Sequence, residues 1–258
     1  MKIIKIWVIA VFITLFSAWS YAAEQHALLT EILGAYVRDG AVNYKELKKD
    51  SRLAQYINYL SNTDPDKLAS SPEKLAFWIN AYNAYTLKII CDRYPVKSIN
   101  DLHTGGLVVG SVIKATVWDR KIAVINKRKL SLNFIEHRIL RRQFKDPRVH
   151  FAIVNGAKGG PPLRNEAYEA DKLDEQLDEQ GKIFFAQENK NTFDFKNKTA
   201  KISPIMGWFK DDFGKSQGAV LGFILKFLPP DSAKLIQDEV KTWKIEYSSY
   251  DWSLNDER

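Results

Sequence analysis

A chain of 258 residues is long enough for one large domain with a substantial core, and its single cysteine excludes an intrachain disulfide as the source of stability. The formal charge of +7 is a moderate basic excess that suits an anionic surface or simple solubility and does not single out nucleic acid as a partner. No internal repeat or low-complexity tract is present, which excludes solenoid and linker-like architectures.

The chain opens with Lys2 and Lys5, is apolar from Ile6 to Trp19 apart from Thr14 and Ser17, and then offers Ser20-Tyr21-Ala22 as a small-residue cleavage site. This is the pattern of a signal peptide, residues 1–22, and the apolar run is shorter than the roughly 20 residues a spanning helix needs. The expectation is export to the periplasm or medium, with no stable membrane span after cleavage. Loss of Lys2 and Lys5 lowers the charge from +7 to +5.

Residues 23–258 are then expected to form one α+β domain, in which a buried central helix packs on a small, mainly antiparallel sheet and on surrounding helices. Leu28, Leu29, Ile32, Leu33 and Tyr36 recur at helical spacing and Arg38-Asp39-Gly40 ends the run as a turn. Leu53, Tyr56, Ile57 and Leu60 mark a second helix. Ser70-Ser71-Pro72-Glu73 has a hydroxyl cap, a proline and an acid in the order of a helix start, and predicts a helix from about Pro72 to Arg93. That helix is apolar on nearly every face, so it belongs in the domain centre. Asn80 and Asn83 share a face of it and need partners, either as an internal tie or as a pocket wall. Cys91, one turn beyond Leu87, reads as a small core hydrophobe.

Beyond the Tyr94-Pro95 stop, β-branched pairs between Gly105 and Val124 predict extended structure. Ser131 caps a short helix with Leu132, Ile135 and Ile139 inside. Arg148 to Val154 is apolar on both faces and reads as a central strand, followed by the Gly-Pro loop Asn155 to Leu163. A helix is expected from about Asn165 to Gln187, extended pieces at Thr192–Phe195 and Ala200–Ile202, and an aromatic-rich helix at Pro204–Asp212. Further helices follow at Gly218–Leu228 and after Pro229-Pro230, the latter capped by Asp231 or Ser232 with Leu235, Ile236 and Val240 inward. Ile245-Glu246-Tyr247 alternates as a strand does.

Several segments together resemble the bacterial and plant family called domain of unknown function 547. They are Ala76 to Ala84, Tyr94 to Ile99, Ile135 to Arg141, Asp146 to Ala152, Pro161-Pro162-Leu163 with Ala167-Tyr168, and the closing Tyr247 to Asn255, so the resemblance covers about residues 69–255. It implies a cleft of distant papain-like or transglutaminase-like ancestry. Many members look as though they carry cysteines in the loop after the His-Phe-Ala segment, and the corresponding residues here are Asn155 and Gly160.

The candidate catalytic residues are His150, Glu136 and His137, with Asn80, Asn83, Arg148, Asn155, Lys158, Gly159 and Gly160 as candidate ligand-binding residues. Histidine exchanges protons near neutrality, and glycines let successive N–H groups converge on an anion. Glu136 and His137, adjacent on an ideal helix, point about 100° apart and should not face one ligand together. Eight Lys or Arg residues against two acids from Lys127 to Arg148 form either a solvated face or a site for an acidic ligand. Metal-ligand spacings are lacking, so no metal or cofactor is expected. Two functions remain open: an envelope binding or scaffold domain for an acidic small molecule or envelope component, without thiol chemistry, and a hydrolase or acyl transferase using His and carboxylate groups.

The leader pattern makes one direct prediction. Mass spectrometry of the exported protein should find Ala23 as its first residue, and an exported chain beginning at Met1 would overturn the cleavage assignment.

Overall fold

The computed structural model describes residues 26–103 and 116–257. The expected leader, residues 1–22, and most of the Gly105 to Val124 stretch lie outside them. The fold is α+β, and the strands among the described residues are divided among three small sheets. β1 (Val37–Arg38) and β2 (Ala41–Val42) form a hairpin, as do β3 (Ala123–Ile125) and β4 (Arg128–Leu130). β5 (Thr192–Asp194) pairs antiparallel with β6 (Thr199–Ile202), which pairs parallel with β7 (Lys244–Tyr247).

The central helix runs from Ser71 to Cys91, and the Ser70 hydroxyl accepts the Glu73 N–H at its start. Every residue from Leu75 to Leu87 is buried, so the helix has no solvent face through which to satisfy its polar side chains. Thr86 bonds back to the Tyr82 carbonyl of the same helix, and four others are each bonded to a different neighbouring segment. Asn80 donates to the Tyr168 carbonyl at 2.8 Å and accepts its N–H at 2.9 Å. Asn83 does the same across one turn of backbone, donating to Ala152 O and accepting from Val154 N, both at 2.9 Å. Tyr85 bonds both backbone groups of Val124 in β3. The Tyr82 hydroxyl donates to Glu136.

Two apolar cores result. The larger surrounds the central helix, and the smaller gathers Phe184, Phe185, Ile202, Met206, Phe213, Leu221 and Phe227 around Phe151. The seam between them is the segment expected to be a central strand, and it is a single helical turn, Val149–Ala152. Asp146 accepts the Arg148 N–H in a turn that leads into the helix, with the Val149 and His150 N–H groups donating to the Asp146 and Pro147 carbonyls. Apolar residues on every side mark burial but cannot distinguish a short helix from a strand. Val149 and Ala152 enter the larger core, whereas Phe151 stacks on Phe184 with centroids 5.0 Å apart.

Other boundaries also shift. The helix expected from Asn165 begins at Leu173, because Asn80 and Gln176 hold the backbone of Ala167 to Glu169 in a loop. The aromatic segment Pro204–Asp212 is two short helices, Ile205–Trp208 and Lys210–Phe213, joined at Phe209. The helix after Pro229 starts at Pro230, so Asp231 lies inside its first turn and neither it nor Ser232 is the cap. Of that helix's supposed inner residues, Ile236 is buried and Leu235 is exposed.

The C-terminal segment closes the domain by backbone bonding. Asn255 joins Val42, Gly40, Tyr44 and Gly156, while the Lys158 and Gly159 N–H groups donate to Ser253 and Asp251 carbonyls. Gly159 is required by this approach, since a Cβ there would stand 2.6 Å from the Asp251 nitrogen.

Asn83→Ala would strand a buried carbonyl and a buried N–H on the seam turn. Chemical denaturation should show a loss of about 2 to 4 kcal/mol. A change within about 0.5 kcal/mol would show that Asn83 does not brace the seam.

Candidate functional site

The residues of the seam turn, the loop after it and the helix following Ser131 meet in a cavity of about 190 Å³. Ser131 caps Leu132–Phe134, as its sequence context predicts, and the chain continues as a π-helix from Ile135 to Phe144. The wider π turn rotates less per residue than an α turn, and Glu136 and His137 both line the cavity, contrary to the expectation from ideal α geometry. His150 reaches it from the seam turn and Asn155 from the loop.

Its walls are aromatic. Trp118, Trp208, Trp252, Phe209 and Tyr82 line it together with Ile153, Pro161 and Ile205. Trp208 stacks on Trp252 with centroids 5.9 Å apart, and Phe209 stacks on the His150 ring at 4.1 Å. These residues come from distant stretches of chain, and the short helix Ile205–Trp208 with Phe209 after it supplies Ile205, Trp208 and Phe209.

A polar chain runs along one side. His150 Nε2 lies 2.7 Å from Asp212, whose carboxylate also accepts two bonds from Arg141, and Arg141 donates to His137 Nδ1 at 3.0 Å. Burial opposes ionisation of Asp212, but the bonds from His150 and Arg141 prevail and hold its carboxyl well below the usual range. An ionised carboxylate can only accept, so His150 Nε2 carries the proton and its Nδ1 is left as an acceptor. Burial lowers the pKa of His150 despite Asp212. Burial also lowers that of His137, reinforced by the Arg141 charge.

Glu136 has the opposite fate. Only 8% exposed, it is pushed up to about 7 by burial, against the smaller effects of the Tyr82 hydroxyl and the Arg141 charge. The cavity therefore holds one carboxyl that exchanges its proton near neutrality and borders a second that stays ionised.

The other candidate residues are not in the lining. Asn80 and Asn83 are consumed by the backbone ties described above. Arg148 is clamped by Asp146, Asp174 and Asp178. Gly159 packs on the C-terminal segment, and Lys158 and Gly160 line a separate hollow on the far side of the loop with Lys190, which donates to the Gly160 carbonyl. The Gly-rich loop thus shapes the cavity through Asn155 and Pro161 rather than by presenting N–H groups to a ligand. Cys91 lies at the edge of the larger core, its thiol pushed up to about 12 by burial.

Asp212, Arg141 and the tryptophans were not among the sequence candidates. Asp212 is 62 residues from His150 and carries no motif, although Arg141, four residues after His137, had a local signal in its spacing. Among the described residues no cluster of three or more His, Cys, Asp or Glu is placed to hold a metal ion, and no helix is long and apolar enough to cross a membrane.

The Glu136 environment has a consequence for stability. Its carboxyl ionises near 4.5 in the unfolded chain and near 7 in the fold, so between these values the folded state retains a proton the unfolded state has lost. Stability relative to Glu136→Gln should therefore fall as pH rises from about 4.5 to 7, by up to about 3 kcal/mol. The measurement is paired urea denaturation of both proteins across that window. A pH-independent difference would overturn the burial effect.

The family model described as "Protein of unknown function, DUF547" matches residues 65–185. No curated protein and no solved structure matches the chain. The matched residues carry the central helix, Tyr82, Glu136, His137, His150 and Asn155, whereas Trp208, Phe209, Asp212 and Trp252 lie beyond them. On this match, residues 65–185 of the chain belong to the DUF547 family.

Proposed function

We propose that the protein is an exported cell-envelope domain that binds a small ligand in the aromatic cavity without thiol chemistry. The observation that carries this reading is the cavity itself: stacked aromatic walls around a buried carboxyl whose pKa burial pushes up to about 7. Aromatic faces supply apolar contact of defined geometry, and Glu136 can either donate to or accept from a ligand group. Asn155 stands at one of the two loop positions where the family resemblance implies cysteine. Its amide donates to the Tyr250 hydroxyl at 2.7 Å and accepts the Ala157 N–H, which makes it part of the wall. The leader pattern of residues 1–22 supports export.

The His150–Asp212 bond favours a second reading, a hydrolase or acyl transferase. Asp212 would hold the imidazole so that Nδ1 acts as a base, with Glu136 as the acid. The described residues of the lining include no serine, threonine or cysteine, so the attacking group would be water or the acceptor's own hydroxyl.

One set of variants separates the two. A thermal-shift screen of small ring compounds should find ligands that raise the midpoint of the full chain, and Glu136→Ala or Trp252→Ala should weaken them at least about tenfold. Unchanged binding in both variants would remove the cavity as the site. Turnover of ester or amide ligands by the wild type, abolished in His150→Gln, would establish the second reading in place of the first.

A further inference from the structure

We infer that the cavity continues into an anion-binding mouth, and that its ligand is a small ring compound bearing an oxyanion, carboxylate or phosphate. This rests on the cavity being a ligand site and adds the class of ligand. Next to the inner cavity lies a wider hollow of about 910 Å³, and Trp118, Asn133 and His137 border both. The two are thus chambers of one cleft.

The mouth is built from the basic turn singled out in the sequence. Arg138, Arg141 and Arg142 all line it, with Asp119 and Asp212 as its carboxylates. Both acids are engaged. Asp212 is held by His150 and Arg141, and Asp119 accepts from the Thr116 N–H and hydroxyl and from the Asn133 amide. Arg141 is spent on Asp212 and His137. Arg138 and Arg142 are exposed and form no ion pair among the described residues. Three guanidinium groups within one stretch of helix repel one another, and an oxyanion between the two open ones would offset that cost by bidentate bonding.

Size argues for a ring at the inner end. An apolar cavity of about 150 Å³ admits benzene, so 190 Å³ takes one six-membered ring and little more. A charged group attached to that ring would have to remain outside the aromatic walls, where the arginines are. Carboxylate and phosphate share the recognition chemistry, and the probes below distinguish them.

The test measures binding of phenylacetate, phenyl phosphate, the neutral phenylacetamide and inorganic phosphate to the full chain, by tryptophan emission and calorimetry at low and high salt. At least one ring acid should bind about tenfold or more tightly than phenylacetamide at low salt, with the gap closing as salt rises. The better of the two acids identifies the oxyanion. In the double variant Arg138→Gln, Arg142→Gln, whose sites are exposed, the gap should shrink to less than about threefold through loss of acid binding, with no fall in the thermal midpoint. Equal binding of acid and amide by the wild type would overturn the anion mouth and leave the aromatic cavity standing. Inorganic phosphate binding as tightly as phenyl phosphate would overturn the ring. Absence of binding by every probe would count against both the mouth and the cavity.

Discussion

A helix buried on all sides imposes a strict condition, because each polar group it carries must find a partner inside the protein. The helix Ser71–Cys91 meets it by pairing Asn80, Asn83, Tyr82 and Tyr85 with four different segments. The Asn83 tie has the widest consequences. It holds the backbone around Ala152 and Val154, and that short turn carries His150 into the cavity and Phe151 into the second core. Moving Asn83 would disturb both cores and the site together. The asparagines are therefore architectural, and the site depends on them without containing them.

The cavity gains its chemistry from treating two carboxyls differently. Glu136 is buried with a phenol and, among the described residues, no Lys or Arg in direct contact, so its neutral form is favoured. Asp212 is bonded by a guanidinium and an imidazole, so its ionised form is favoured even though burial works against it. Separation of protonation states by environment lets neighbouring groups of the same type play different roles. The π-helix contributes by placing Glu136 and His137 on one side. Arg141, one step further along, joins His137 to Asp212 and so couples this helix to the segment Lys210–Phe213.

Closure of the domain depends on residues far from its centre. Residues 251–257 bond the β1–β2 hairpin, the Lys97 carbonyl and the Gly-Pro loop, and Trp252 reaches the cavity from the same segment. The family match ends at residue 185, yet Trp208, Phe209, Asp212 and Trp252 complete the lining or its polar border. The site is thus shared between the matched region and the chain that follows it.

Local pattern and composition alone determined the central helix with a hydroxyl-capped start, the Ser131 helix start, extended pieces near Thr192–Phe195, Ala200–Ile202 and Ile245–Tyr247, and the α+β class. These are properties of nearest neighbours in the chain, where apolar spacing, caps and turn residues act over a few positions. Glu136, His137, His150 and Asn155 were also visible as chemically capable residues. Their company was not. The strand reading of Arg148–Val154 failed because full burial erases the periodicity that separates strand from helix, and the choice fell to Asp146-Pro147 and to the packing of Phe151. Likewise, only the tertiary structure could bring Asp212 to His150, turn Asn80 and Asn83 into backbone ties, and direct Arg148 to Asp174 and Asp178. Each of those outcomes is a contact across dozens of residues, decided by which buried polar group lies within about 3 Å of another, and no spacing along the chain encodes that distance.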